Sequence, residues 1–535
     1  MSRRSRRPHA SADTSCTRTG RARRAPRESG AGRERPVAYD PDTYASGRSD
    51  IGVVPVNPPN KAQQPAAEVG EGRPVTEGNP NPLTASQSQN WTDASYKLDW
   101  VREAARKDRG IHFTTLLHHL TPHLLLESFD ALRRDSASGV DATTWAEYAK
   151  GLMGRLSDLH DRVHSGRYRA KPSKRIYIEK DDGRLRPIGI AALEDKIMQR
   201  AVMQILNAIY EVDFLGFSYG FRPGRSQHNA LDALWVGLMC RKVNWVLDAD
   251  IRGFFDALDH ECLMNFLETR IADRRILRLV RQWLTAGVSE DGQWSATTVG
   301  TPQGAVISPL LANVFLHYAL DQWVQEWRRT KAHGDVIIVR YADDFVMGFQ
   351  SKRDAETFLK ALQERLGEYK LELHPDKTRL IEFGRFAERD RTQRGEGKPE
   401  TLDFLGFTHW CGTTRKSGKF TVGRKPVAKR MRKTLKAIKE TLMKRRHRPV
   451  PEQGQWVRSV IRGYCAYFAV PGTVETLSAF RKHICRMWLR ALRRRSQRKG
   501  KRLTWKRFER LIETWIPKVT IQHPYPDQRL IVHPR

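Results

Sequence analysis

The residues that most constrain this chain are Tyr341-Ala342-Asp343-Asp344. They lie between two apolar runs, Val336-Ile337-Ile338-Val339 and Phe345-Val346-Met347-Gly348-Phe349. The β-branched and aromatic content of these runs predicts two strands joined by a tight turn. Adjacent carboxylates at a hairpin tip repel each other and displace the Asn-Gly or Asp-Gly that a short turn prefers. A divalent cation held by both removes that cost, so the pair predicts a metal-binding tip on an antiparallel sheet.

A third carboxylate has to come from elsewhere, and Val246-Leu247-Asp248-Ala249-Asp250-Ile251 offers it at a strand end. Three carboxylates from two neighbouring strands supply enough hard oxygen ligands for two cations about 3.5–4 Å apart, the arrangement that phosphoryl transfer uses. Asp248 and Asp250 are two apart, so both face one side of the strand, and either could be structural. The nearby Asp256-Ala257-Leu258-Asp259-His260 group is acidic too. Helix capping explains its acids more simply than a metal does, and His260 reads as a structural hydrogen-bonder.

Charge narrows the partner. The 535 residues hold 94 Lys and Arg against 60 Asp and Glu, a net +34, which points to a polyanion such as nucleic acid. Residues 415–510 alone carry 31 Lys and Arg against 4 Asp and Glu, a net +27. Apolar positions persist there at helical spacing, as in Ile484, Met487, Trp488 and Leu492, so the segment reads as a folded basic helical domain. Self-repulsion at that density favours a polyanion-binding surface over a merely solvated face. The 6 cysteines are scattered with no C-x₂-C pair, which fits a reducing compartment and disfavours zinc ribbons. No apolar stretch is long enough to span a bilayer, so no membrane partner is expected.

Length allows three or four domains at ~150 residues each. Residues 1–95 are rich in Pro, Gly, Ser and Arg with almost no apolar periodicity and read as a disordered basic arm. The first part resembles a transit peptide in composition, which keeps organellar import as a minor reading beside a bacterial cytoplasmic, nucleoid-associated one. From Lys174 a basic hairpin is expected, Arg175-Ile176-Tyr177-Ile178 turning at Asp181-Asp182-Gly183 into Arg186-Pro187-Ile188-Gly189-Ile190. A strand is expected at 243–249, a long apolar helix at 308–327, an amphipathic helix at 355–369, and strands at 371–374 and 380–383. That order suits an α+β fold on an antiparallel sheet.

Several blocks then carry a resemblance. Asp248-Ala249-Asp250-Ile251-Arg252-Gly253-Phe254-Phe255-Asp256, Gly300-Thr301-Pro302-Gln303-Gly304 with Ile307-Ser308-Pro309-Leu310-Leu311-Ala312-Asn313, and Arg340-Tyr341-Ala342-Asp343-Asp344 follow one another in order. Leu373-His374-Pro375-Asp376-Lys377-Thr378 and Phe404-Leu405-Gly406-Phe407 come after them. Gly139-Val140-Asp141 and Ser218-Tyr219-Gly220-Phe221-Arg222-Pro223-Gly224-Arg225-Ser226 come before. Together they resemble the reverse transcriptase blocks of group II intron-encoded proteins over about residues 96–530, with Ala305 standing where these proteins often have a second glycine.

The resemblance implies a right-hand polymerase: fingers and palm over 96–413 and a basic helical thumb and maturase domain over 414–515. Such proteins often carry an HNH nuclease with paired Cys; the short tail over 516–535 holds no such cluster, so no HNH endonuclease is expected. The resemblance implies that Asp250, Asp343 and Asp344 hold two Mg²⁺ ions for RNA-directed DNA synthesis. Lys180 and Arg186 would grip the incoming dNTP triphosphate. Phe255 would exclude a 2′-hydroxyl, Gln303 would line the same pocket, and Lys377 would help hold it. Arg493, Arg494, Arg495, Arg498 and Lys499 would contact RNA phosphates. The partners implied are group II intron RNA, an RNA template with a DNA primer, dNTPs and target DNA, for splicing and for insertion by target-primed copying. Two other readings stand beside this one: a domesticated reverse transcriptase in phage defence or diversity generation, and a splicing-only RNA-binding maturase.

Overall fold

The computed structural model describes residues 98–179, 185–414, 417–496, 503–526 and 528, all in the unit Tyr39–Arg535. The expectations for residues 1–95, Lys180, Arg498 and Lys499 lie outside the described residues.

The two apolar runs form β6 (Val336–Tyr341) and β7 (Asp344–Phe349) of a four-stranded antiparallel sheet, with β3 (Trp245–Asp250) and β8 (Arg379–Glu382) in the order β6-β7-β3-β8. Both faces of this sheet are covered, which is why β6 is buried along its whole length. The period of two divides each strand between two cores. Ile338, Phe345, Met347, Leu247 and Ala249 belong to a core that takes in the Lys352–Glu368 helix as well as helices of the N-terminal half. Ile337, Val339, Val346 and Val246 pack on the Gln227–Cys240 helix and a second sheet.

That second sheet is β9 (Leu402–Phe404), β10 (Phe407–Thr413) and β11 (Phe420–Pro426), in the order β11-β10-β9. A boundary at 414 would cut the β10–β11 hairpin, which closes through Thr414 N donating to Lys419 O at 2.8 Å. The hairpin is tied to the Gln227–Cys240 helix by the buried Arg424–Asp232 ion pair at 2.9 Å and by Trp235 Nε1 donating to Val422 O at 2.8 Å. The basic helices therefore start at Ala428, not at 414. They run Ala428–Lys444, Val450–Phe468, Val474–Arg493 and Trp505–Trp515 around Ile484, Trp488 and Leu492. Of the residues expected to form a tail, Ile516 is buried in this core and Gln522 N donates to Ala469 O at 2.9 Å.

The basic hairpin forms as expected from β1 (Ser173–Glu179) and β2 (Leu185–Ile190), and joins β4 (Val288–Glu290) and β5 (Gln293–Ser295) in the order β2-β1-β4-β5. Behind it, Asp195 of the Leu193–Asp213 helix accepts from the buried Tyr168 hydroxyl, which in turn accepts from Trp283 Nε1 at 3.0 Å. Lys171 N donates to the same carboxylate at 3.1 Å, so this one acid joins three elements.

Two expected elements differ. The long apolar helix is α-helical over Ser308–Leu316 and Gln322–Thr330, with a π turn over His317–Asp321 between them. A π turn inserts a residue without breaking an apolar run, so periodicity does not reveal it. Residues 371–374 make only the single bridge Ile251↔Leu373, held by Arg252 N to Glu372 O and His374 N to Asp250 O at 2.8 Å each, and Pro375, which has no N–H to donate, follows it.

Candidate active site

The Asp343-Asp344 pair sits where the sequence predicts it. Tyr341 and Asp344 are the last register pair of the hairpin, leaving Ala342 and Asp343 as the turn. Ala342 has φ +57°, a left-handed value that alanine rarely adopts. On the other side of β7, Asp250 is the direct cross-strand partner of Asp344. Opposed residues have Cβ atoms about 4.5–5.5 Å apart, so the third carboxylate faces the pair.

The electrostatics of this corner are those of a buried acidic cluster that its neighbouring cations offset only in part. Burial, then the Asp250 charge, pushes the Asp343 carboxyl up, and Arg186 and Lys377 pull it part-way back. Burial, then Asp248, Asp343 and Asp250, pushes Asp344 well above the usual carboxylate range. Asp248 is raised to about 6 by burial, although Arg379 bonds it at 3.2 Å. Lys377 Nζ bonds Asp250 Oδ2 at 2.6 Å. Buried carboxyls that raise one another in this way would be stabilised by a cation, and hard oxygen donors at the end of two adjacent strands fit a divalent one. Among the described residues no group of three or more His, Cys, Asp and Glu is gathered as a ready-made metal site. The carboxylates would have to converge on an ion, with Asp250 turning from Lys377.

The neighbouring residues form one hydrogen-bonded chain. Arg186 Nε, on β2, donates to Gln303 Oε1 at 2.6 Å. Gln303 Nε2 donates to both carboxylate oxygens of Asp256 at 3.0 Å. The loop carrying Gln303 is pinned to the segment after β3, with Gly300 N bonded to Leu258 O and Thr301 N to Phe255 O, each at 2.8 Å. Glycine is required at 304: φ is +114°, and a Cβ there would lie 2.8 Å from Gly189 O. Phe255 is half-buried beside Phe254, with ring centroids 5.6 Å apart. Asp259 caps the His260–Glu268 helix and bonds Lys370, and His260 Nε2 bonds Gly300 O at 2.6 Å, so both are structural as the sequence reading has them.

Some functional candidates were not visible in the sequence. Asp256 was read only as part of an acidic group, yet it fixes Gln303. Arg340 lies fully buried in β6 and reaches Asp321, Asn313 and Ser218. The available signal was a lone Arg in an apolar strand with a lone Asp in an apolar helix. Of the basic cluster, Arg493 Nε bonds Leu503 O at 2.9 Å and Arg495 Nη2 bonds His447 O at 3.3 Å, so both also hold the helical fold together.

Residues 178–409, which contain all three carboxylates, match the family model described as reverse transcriptase (RNA-dependent DNA polymerase). Protein YkfC of Escherichia coli (strain K12) is 34% identical over 296 residues, 48% of this chain and 77% of YkfC. The chain belongs to the reverse transcriptase family. This reverse transcriptase is also 39% identical over 171 residues to the group II intron-encoded protein LtrA of Lactococcus lactis subsp. cremoris, covering 32% of this chain and 28% of LtrA. An uncharacterized 91 kDa protein in the cob intron of Schizosaccharomyces pombe is 36% identical over 178 residues, 32% of this chain and 22% of that protein. The chain thus spans under a third of the length of these two intron-encoded relatives.

Proposed function

We propose that this reverse transcriptase copies RNA into DNA at Asp250, Asp343 and Asp344, and that it serves a group II intron, binding the intron RNA to assist splicing and then copying it at a DNA target. The observation that carries the reading is the placement of Asp250 directly across from Asp344, beside a turn whose carboxyls are pushed up by burial and then by the neighbouring acids. Two bound Mg²⁺ ions would activate the primer 3′-hydroxyl and steady the leaving pyrophosphate.

The chain's own residues do the rest. In the right-hand reading, β1 and β2 belong to the fingers, the β6-β7-β3-β8 sheet is the palm, and the basic helices are the thumb. Arg186 brings a fixed positive charge from the fingers to within reach of Asp343, suited to a triphosphate. Gln303 and Asp256 hold that guanidinium in place. Phe255 presents a half-buried ring five residues past Asp250, suited to excluding a 2′-hydroxyl and so to choosing dNTP. Lys377 holds Asp250 until an ion competes for it. The basic helices offer RNA a surface read through its backbone and shape.

The test is replacement of Asp343 and Asp344 by Ala. Primer extension on an RNA template should be abolished, while RNA binding and splicing stay within about twofold, since the change removes no basic residue that could meet a phosphate. DNA synthesis by the double variant would refute the site. A splicing-only protein would show no primer extension before mutation.

A further inference from the structure

Beneath the Ala342-Asp343 turn lies a group of polar side chains that touches no substrate position. Arg340 and Asp321 are each 0% exposed. Arg340 Nε donates to Asp321 Oδ1 at 2.7 Å, and Nη2 bonds Asp321 Oδ2 and also Ser218 Oγ at 2.7 Å. Nη1 donates to Asn313 Oδ1 at 3.1 Å and to the carbonyl of Ala342 at 2.9 Å. Asn313 passes the link on, its Nδ2 donating to Gly220 O at 2.7 Å. Gly220 lies so close under the turn that a Cβ on it would collide with Ala342 N. The backbone closes the group, with Tyr219 N bonded to Arg340 O at 2.8 Å and Arg340 N to Phe217 O at 2.9 Å.

We propose that the Arg340–Asp321 pair is the positioning device of the catalytic turn: it clamps the Ala342 carbonyl and so holds Ala342 in its left-handed conformation, which aims Asp343 and Asp344 at the metal position. The argument is one of geometry and desolvation. A buried ion pair is weak evidence for stability, because taking both charges out of water offsets most of their attraction. The guanidinium is fully used: Nε and Nη2 bond Asp321, Nη2 also bonds Ser218, and Nη1 bonds Asn313 and the Ala342 carbonyl at the turn. The pair comes from two elements that must agree in register, β6 and the π turn at His317–Asp321. The π turn ends on Asp321, the residue that meets Arg340. A left-handed alanine persists only where its surroundings over-determine it. The Arg340 bond to its carbonyl and the close approach of Gly220 to its nitrogen are the two contacts that do so.

The inference rests on Asp343 and Asp344 being the metal-holding pair, and the experiment separates the two claims. Asp321→Asn keeps the side-chain shape and removes its charge. Single-nucleotide primer extension should show kcat lowered about 100-fold, the scale of a misplacement near 1 Å, with the dNTP KM changed less than about twofold. Mn²⁺ bound by the free protein, read by electron paramagnetic resonance, should weaken in parallel. Adding Ala342→Gly, which accepts positive φ without strain, should recover about tenfold of the lost kcat without raising Tm.

A folded Asp321→Asn protein with unchanged kcat overturns the proposal. So does a loss that only follows the unfolded fraction and is not lessened by Ala342→Gly. Should Asp321→Asn fail to fold, Asn313→Ala removes two bonds of the group, those to Arg340 and to Gly220 O, and carries the test: kcat should fall about fivefold at constant KM, and no fall overturns the clamp. Asp343→Ala is measured beside them. If it retains DNA synthesis, the metal-site reading fails. If it is inactive while the clamp variants are normal, the clamp alone fails.

Discussion

At the scale of single residues, the site is a set of charges that each depend on a neighbour. Asp256 shows this most clearly. Its two oxygens both accept from Gln303 Nε2, which leaves Gln303 Oε1 facing Arg186 and fixes which end of the amide meets the guanidinium. Replacing Asp256 by Ala frees the amide to rotate and loosens Arg186. A bond to a charged group contributes about 1.5–3 kcal/mol, so the dNTP KM should rise roughly tenfold or more with kcat less affected. Steady-state incorporation on an RNA template reads this directly, and an unchanged KM would separate Asp256 from the nucleotide pocket. The three metal-site carboxylates were legible in the sequence because each is marked locally, by a strand end or a tight turn. Asp256, Arg340 and Asp321 were not, because their meaning lies in partners 19 to 47 positions away, and spacing carries no signal for such pairs.

At the scale of elements, the strands around Asp250 and Asp343 were legible from alternation and apolar runs, and their register followed from two-faced burial. The π turn was not, since it leaves the apolar pattern intact, and neither was the β10–β11 hairpin, whose basic residues read as the start of the helical region. One buried acid ties elements together in a way that pH should reveal. Burial raises Asp195 from the ordinary 3.8 to about 6, against the lowering effect of the Tyr168 hydrogen bond. Between those values the folded protein keeps a proton that the unfolded chain has lost, so stability falls as pH rises. The contribution is fully present below about pH 4 and gone above about pH 6, at most about 3 kcal/mol. Asp195→Asn keeps an oxygen for the Tyr168 hydroxyl and cannot titrate. Its Tm against pH, followed by circular dichroism, should be flatter than the wild-type curve across that window. Equal slopes would place the titration on other groups.

At the scale of the whole molecule, the charge and its location were legible from composition, but the residues that face a ligand were not. Arg493 and Arg495 each hold a backbone carbonyl, so neutralising them mixes folding with binding. The Ala428–Lys444 helix gives a cleaner surface, with Lys429, Lys433, Lys436 and Lys439 exposed along it. Changing these four to Gln should weaken RNA binding and reduce the slope of log K against log salt, by up to about one for each lysine that neutralises a phosphate. Filter binding across a salt series reads the slope, and an unaltered slope would make this helix a solvated face.

The hairpin that crosses the expected boundary has a practical meaning for recombining related enzymes. β10 and β11 share a core and a buried ion pair with the Gln227–Cys240 helix, so they belong with the sheet that carries the catalytic carboxylates. A chimera that borrows the basic helices of another reverse transcriptase should be joined between Pro426 and Ala428. A junction drawn at the change in composition would leave each parent with half a hairpin.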